Sequence, residues 1–320
     1  MIPVCSEDVF IELVRTLGPS KAARKLNIGV RRVTERRRRL ERKYGIVING
    51  PAANINNGVG KLVSERDQHP YRIYETIKDG IVLIGSDSHY WPGIISTAHK
   101  AFVKFARELK PLMIIKNGDE LNFPRISRHA PIGWESRPEV QAEIEFTRDR
   151  LEEVEKASPN SKLRWPLGNH DGLFETRLAT VAPEYARVHG MHLKDHFPRW
   201  KPCWSVWIND DVVVKHRFKS GLHAPHNNTV WSGKHMFTGH LHSLKVMPIS
   251  DYNGTRYGVD CGTMADPYGP QFVHYTEDNP VSWRSGFVVL TFHKGKLLWP
   301  EVVFVRGENE IEFRGKVIPV

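Results

Sequence analysis

From residue 81 onward the chain repeats one arrangement: a short apolar run ends abruptly in side chains that can bind a metal. IVLIG (81–85) runs into Ser86-Asp87-Ser88-His89, and LMIIK (112–116) into Asn117-Gly118-Asp119. LRWPL (163–167) leads to Gly168-Asn169-His170-Asp171, VVVK to His216, and HMFT to Gly239-His240-Leu241-His242. Apolar runs of this length, bounded by Gly and polar groups, read as buried strands. Polar groups at strand carboxyl ends are where an α/β sheet forms its site. One Gly-Asp or one His-x-His is usually a turn or a structural pair. Five such groups in order, each closing a strand, require a fold that brings them together.

The rest of the chain supplies the layers for such a fold. IISTAHKAFVKFAREL (94–109) is an amphipathic helix, a second helix falls near 137–156, and further strands are predicted at 204–208, 212–218, 235–239, 256–260, 287–292 and 297–305. Helices concentrated early and strands late predict a layered α/β domain. No stretch approaches the roughly 20 apolar residues of a membrane-spanning helix. Glu7 and Asp8 stand where a secretory signal carries basic residues. Cys5, Cys203 and Cys261 are far apart and odd in number, so they are expected as small buried side chains rather than a disulfide framework. These features lead us to expect a cytoplasmic protein with no membrane association.

The five groups resemble the motif set of the calcineurin-like metallophosphoesterases, DxH, GD, GNH(D/E), H and GHxH, over about residues 80–305. The resemblance implies an αββα sandwich with a dinuclear centre at one edge of two packed sheets, and hydrolysis of a phosphate ester. It implies one metal held by Asp87, His89, Asp119 and His242. A second would be held by Asp119, Asn169, His216 and His240, with Asp119 bridging. His170 would stand beside the leaving oxygen as a general acid, with Asp171 orienting its ring. Two divalent ions are expected, Mn²⁺ foremost, with Fe or Zn²⁺ suited to the same oxygen and nitrogen donors. Two dications about 3.5 Å apart repel by about 19 kcal/mol at an effective dielectric of 20, which demands an anionic bridge. Neutral imidazole and amide donors leave such a site net positive, which favours a phosphate anion.

After Asp119 the sequence reads GDELNFPRISRH, without the Asp-Arg pair of the Ser/Thr phosphatases. This speaks against a phosphoprotein substrate. Arg125, Arg128 and His129 follow, and either reach a substrate phosphate or form a solvated loop. His223, His226 and His235 are expected as supporting or surface residues, Cys261-Gly262-Thr263 as a turn supporting the site, and the nine tryptophans as packing.

The chain carries a net charge of +10; residues 1–50 hold 12 basic and 5 acidic side chains, so the remaining 270 residues carry only +3. Within that segment Val9, Phe10, Leu13, Val14 and Leu17 share a helical face after a Ser6 cap, and Gly18-Pro19-Ser20 ends one helix and starts another. Asn27-Ile28-Gly29 is a turn, and a third helix runs to about Lys43. The run from Ser20 to Ile46 resembles helix-turn-helix modules, with Ala23, Leu26, Ile28 and Val33 packing the helices. Its third helix displays Arg31, Arg32, Arg36, Arg37, Arg38 and Arg39, six arginines within nine residues. Such a helix suits a nucleic-acid backbone; its rivals are a solvated basic helix and an oligomerisation hairpin.

The expected organisation is therefore a small all-α helix-turn-helix-like domain (1–46), a linker (47–79) and a metallophosphoesterase domain (80–320). The leading expectation for function is a phosphodiesterase or nuclease-like enzyme directed to DNA by its N-terminal domain. The alternatives are a phosphomonoesterase acting on a nucleotide or small phosphate, with the helices used for assembly, and a DNA-binding regulator with a vestigial phosphoesterase fold.

Overall fold

Successive residues of a strand face opposite ways, so a run that is apolar throughout must be covered on both faces. The computed structural model of the chain, which describes residues 5–48, 71–129, 131 and 133–320, has such covering layers. It divides into two units, Met1–Gln68 and His69–Val320.

The larger unit contains two sheets. The six-stranded sheet runs β1 (Arg72–Glu75), β6 (Ser205–Ile208), β7 (Val212–Val214), β8 (His235–Thr238), β10 (Gly254–Asp260) and β9 (Lys245–Asp251). The nine-stranded sheet runs β15 (Lys316–Pro319), β14 (Glu310–Phe313), β13 (Glu301–Gly307), β11 (Gly286–His293), β2 (Gly80–Gly85), β3 (Met113–Lys116), β4 (Lys162–Pro166) and β5 (Lys201–Cys203), with β12 (Lys296–Leu297) paired to β11. Val82, Ile84, Ile115, Val288 and Leu290 of the larger sheet meet Val206, Ile208, Val214, Phe237 and Val259 of the smaller one. The alternate residues Leu83, Ile114, Leu163, Trp165, Phe287 and Val289 turn outward, under α3 (Thr97–Leu109) and α4 (Val140–Ala157), which contribute Phe102, Phe105, Leu151 and Val154. Beyond α5 (Leu173–Val181) and the short α6 (Leu193–His196), α7 (Ala224–Ser232) packs on β8, β9 and β10 of the smaller sheet. The layers are therefore αββα, as the motif resemblance implies.

Strands β2, β3 and β4 are mutually parallel, as are β7 and β8. Their carboxyl ends are the five places where the sequence puts polar groups. Three local expectations differ from the structure. The strand predicted at 297–305 is interrupted, β12 ending at Leu297 and β13 starting at Glu301, because Pro300 between them has no N–H to give a ladder. The strand predicted at 212–218 stops at Val214. The linker expected over 47–79 includes β1, whose Arg72 and Glu75 pair with Ser205 and Ile208; residues 49–70 of that segment lie outside the described residues.

The smaller unit has its own core of Phe10, Ile11, Val14, Ala22, Ala23, Val33, Leu40 and Ile48. α1 (Glu7–Lys25) is broken at Gly18, whose φ of 76° and ψ of 163° lie outside the helix, just before Pro19. Ser6 caps it by accepting the Val9 N–H at 3.3 Å. α2 (Val30–Tyr44) ends on Gly45 in the left-handed conformation at φ 64°, which costs glycine least. Val9, expected on the inner face, is exposed, and Ile11 is buried instead. Arg36 is also not displayed as expected: its guanidinium lies 4.4 Å from the Phe10 ring centroid and donates to the Cys5 carbonyl at 2.6 Å. Arg37 is half-buried near Glu41, whereas Arg31, Arg32, Arg38 and Arg39 are exposed. Among the described residues no helix is long and apolar enough to cross a membrane.

Candidate metal centre

The strand ends gather six of the expected ligands into two clusters. Asp87, His89 and His242 form one, and Asp119, His216 and His240 the other; within each, the donor atoms lie within 4.8 Å of one another. Asp87, His89 and Asp119 leave the nine-stranded sheet, while His216, His240 and His242 leave the six-stranded one, so each cluster draws on both sheets. Asp119 faces both clusters: its Oδ2 is 3.1 Å from His216 Nε2 and 4.0 Å from His89 Nε2. Its Oδ1 accepts the His170 backbone N–H at 2.8 Å.

The backbone is bent sharply to make this possible. Asp87, His89, Asp119, His240 and His242 all have positive φ, between 38° and 72°. That conformation is uncommon for residues with a Cβ and gathers at functional sites. The motif glycines make room for it. A Cβ on Gly168 would lie 2.0 Å from Asp119 Oδ1, and one on Gly239 would lie 2.1 Å from Ser86 Oγ and 2.4 Å from Asp87 Oδ2.

Hydrogen bonds around the rings fix which nitrogen faces inward. His216 Nδ1 lies 2.8 Å from the Asn117 carbonyl and His89 Nδ1 lies 3.0 Å from Asn122 Oδ1. Both partners are acceptors, so each Nδ1 carries a hydrogen and each Nε2 is the nitrogen turned to the cluster, the usual arrangement behind a ligating histidine. His89 Nε2 and Asn169 Oδ1 are buried without a hydrogen-bond partner, an expense that a cation at each place would remove. Burial, and then the neighbouring His170, pull the His89 ring down to about 3, keeping it neutral. Burial opposes charge on His216, but Asp119 and Asp87 outweigh it and hold that ring up at about 10. Buried carboxylates here draw a proton onto an imidazole where they could draw a metal. This set of donors fits divalent ions.

Asp171 corrects an expectation. It does not orient His170. Its carboxylate accepts the N–H groups of Asp119 (2.9 Å), Glu120 (3.0 Å) and Gly168 (2.9 Å) and the Trp165 indole (3.0 Å). It thus fastens the loops after β3 and β4 to each other. Burial and the Asp119 charge push its carboxyl up to about 6. The His170 ring is oriented by the Asn122 carbonyl, 2.7 Å from Nδ1, and packs edge-on to His89 at 4.9 Å.

Asn122 is therefore the residue that the motif reading missed. Its side chain holds His89, its carbonyl holds His170, and its own N–H donates to Glu143 Oε1 at 3.2 Å. The only signal was a polar side chain set between the apolar Leu121 and Phe123, both buried. Thr263, in the turn expected to support the site, donates its hydroxyl to the Asp87 carbonyl at 2.6 Å. Phe272 and Trp283 wall the first cluster, 5.0 Å from His89 and 4.6 Å from His242 respectively. Arg125 is taken up within its own loop by the Arg137 carbonyl (2.9 Å) and Glu139 (3.0 Å), while Arg128 and His129 are exposed on that loop. His235 is buried against Tyr257, and His226 is exposed. Cys203 and Cys261 are buried as expected, and Cys5 partly so.

No family model and no curated protein matches the chain. Solved structures similar to it include Vps29 from Entamoeba histolytica complexed with zinc, at 10% identity and a TM-score of 0.40, covering 75% of this chain and 98% of that one. An archaeal phosphodiesterase is similar at 16% identity and a TM-score of 0.35, covering 69% and 99%. A protein serine/threonine phosphatase from Saccharomyces cerevisiae is similar at 13% identity and a TM-score of 0.37, covering 79% and 90%. The αββα layer order agrees with what the motif resemblance implies.

Proposed function

We propose that the chain is a two-metal hydrolase of phosphate esters, holding one divalent ion at Asp87, His89, Asp119 and His242 and the other at Asp119, Asn169, His216 and His240. The observation that carries this reading is the pair of adjoining clusters with Asp119 facing both. Bound divalent ions supply Lewis acidity toward a phosphoryl group and lower the pKa of water. The chain's own contribution is positional. Ser86 and the His240 N–H hold the Asp87 carboxylate, at 2.5 Å and 2.9 Å to Oδ2. Asn122 fixes His170 with its hydrogen on Nδ1, leaving Nε2 to hold a proton for a departing oxygen. Asp171 holds the two loops at one spacing. Arg128 and His129 are the candidates for contacts to the rest of the substrate.

The same proposal extends to the N-terminal unit. Arg31, Arg32, Arg38 and Arg39 line the outside of α2, with Arg31 also donating to Glu35 at 2.9 Å, and exposed guanidiniums along one helix suit the phosphates of DNA. A diester in nucleic acid is accordingly the favoured substrate over a small phosphomonoester. The test is an activity panel in Mn²⁺, Zn²⁺ and EDTA, with bis-p-nitrophenyl phosphate, p-nitrophenyl phosphate and DNA as substrates. Metal-dependent turnover of the diester supports the reading; no turnover with any ion rejects it.

A further inference from the structure

Beyond His216 the chain builds a surface that neither the metal centre nor the N-terminal helices require. In the six-stranded sheet Val214 pairs with Val206, and Ser205 with Arg72, so Arg72 lies at the same end of the sheet as His216. Its guanidinium lies over the Trp207 indole, 4.7 Å from the centroid. Lys215 stands 5.2 Å from the Phe218 ring, and Lys219 stands 3.6 Å from the Trp231 ring. Phe218 is 45% exposed and Trp231 71% exposed, although each ring already has a cation near it. The segment is not a loose tail: buried Asn228 of α7 accepts the Lys219 N–H at 2.9 Å. Arg72, Lys215, exposed Arg217 and Lys219 have no carboxylate partner among the described residues. Four unneutralised cations interleaved with exposed rings therefore begin beside a ligand of the second cluster.

We propose that this face is a track for single-stranded nucleic acid, leading into the second ligand cluster. It rests on the phosphoester reading of that centre. The cations meet the phosphates and the free ring faces stack on bases, a combination that tolerates any sequence. Duplex DNA does not satisfy it, because paired bases offer no free face to Phe218 and Trp231. The track belongs to the larger unit; the arginines of α2, in the smaller unit, have no exposed aromatic among them except Tyr44 at the helix end.

The experiment is fluorescence anisotropy on the full chain carrying Arg31, Arg32, Arg38 and Arg39→Ala, so that α2 contributes little, in EDTA to prevent cleavage. The probes are a labelled 20-nucleotide oligo-dT, an abasic strand of the same length, and vesicles containing phosphatidylserine. Phe218→Ala and Trp231→Ala should each weaken oligo-dT binding by about 5- to 150-fold, the equivalent of about 1–3 kcal/mol per stacked base. The abasic strand should bind weakly and be indifferent to both changes. Lys219→Ala should lower the slope of log K against log salt by about 0.7. Unchanged oligo-dT affinity when Phe218→Ala and Trp231→Ala are combined overturns the track, as does an equal loss for the abasic strand. Vesicle binding without oligo-dT binding also overturns it and makes the face a membrane surface. Hydrolysis of bis-p-nitrophenyl phosphate, measured separately with metal, distinguishes the two ideas: oligo-dT binding without any hydrolysis rejects the phosphoester reading and leaves a strand-binding face.

Discussion

Glu143 offers the most quantitative test of how the site is supported. It is fully buried on α4, where its Oε1 accepts the N–H groups of Asn122 (3.2 Å) and Phe123 (2.9 Å) while Oε2 has no partner. Burial outweighs those two donors and pushes its carboxyl up from an ordinary value of 4.5 to about 8. The folded protein therefore keeps this proton through a range in which the unfolded chain has released it. More protons on the folded form means that stability falls as pH rises. The loss starts near the unfolded value and stops at the folded one. Each pH step inside that window costs about 1.4 kcal/mol, hence about 5 kcal/mol in all and roughly half of it between pH 5 and pH 7. Glu143→Gln keeps an oxygen for both N–H groups but has nothing to ionise. Its stability relative to wild type should rise by about 2–3 kcal/mol from pH 5 to pH 7. Urea unfolding followed by tryptophan fluorescence measures this directly, because all nine tryptophans lie in the larger unit, between Trp91 and Trp299. EDTA in both samples removes the contribution of bound ions. Parallel pH profiles for the two proteins would refute the linkage and mean that Glu143 is ionised in the fold.

Three further expectations follow from the site and the basic unit. Asp119→Asn should lose at least one metal by elemental analysis, and two ions retained with full turnover would show that it bridges nothing. His170→Ala should keep its metal content and lose about 10²–10⁴-fold in turnover of poor leaving groups, with a smaller loss on p-nitrophenyl esters; equal losses on both would reject a proton-holding role. In the N-terminal unit, Arg36→Ala should lower the thermal stability of the helices, whereas Arg31, Arg32, Arg38 and Arg39→Ala should leave them folded and reduce the salt slope of duplex DNA binding by about 3 to 4. Circular dichroism melting and binding titrations from 50 to 200 mM salt separate the two.

Much of the layer order could be read in the sequence, because a strand covered on both sides must be apolar through its middle, as β2, β7, Met113–Ile115 of β3 and Met236–Phe237 of β8 are. The polar strands could not be read this way. β14 exposes Glu310 and Glu312 while burying Ile311 and Phe313, and so short an alternation between turns is easily taken for loop. The direction of a side chain is harder still. The motif resemblance paired Asp171 with the ring of His170, yet Asp171 serves the amides of a neighbouring strand end. The true partner of His170 is a main-chain carbonyl, which every residue type possesses and no composition reveals. Arg36 is a different case. Val33 and Leu40 are buried on the face it shares at spacings of three and four, so the helical period already distinguished it from its exposed neighbours.

Both ligand clusters take donors from both sheets, and this joins two properties that are usually considered apart. An ion held by Asp87, His89 and His242, or by Asp119, His216 and His240, fastens one half of the sandwich to the other across the seam. It has no complete seat on either sheet alone. Occupancy must then register throughout the inner strands rather than in the loops that touch the ion. Each site filled at a hundred times its dissociation constant adds about 2.7 kcal/mol against global unfolding. Amide exchange at Val82, Ile115, Val214 and Phe237, deep between the sheets, should slow together when metal is added. Ions bound at these clusters would then be a clasp of the fold as well as part of its site.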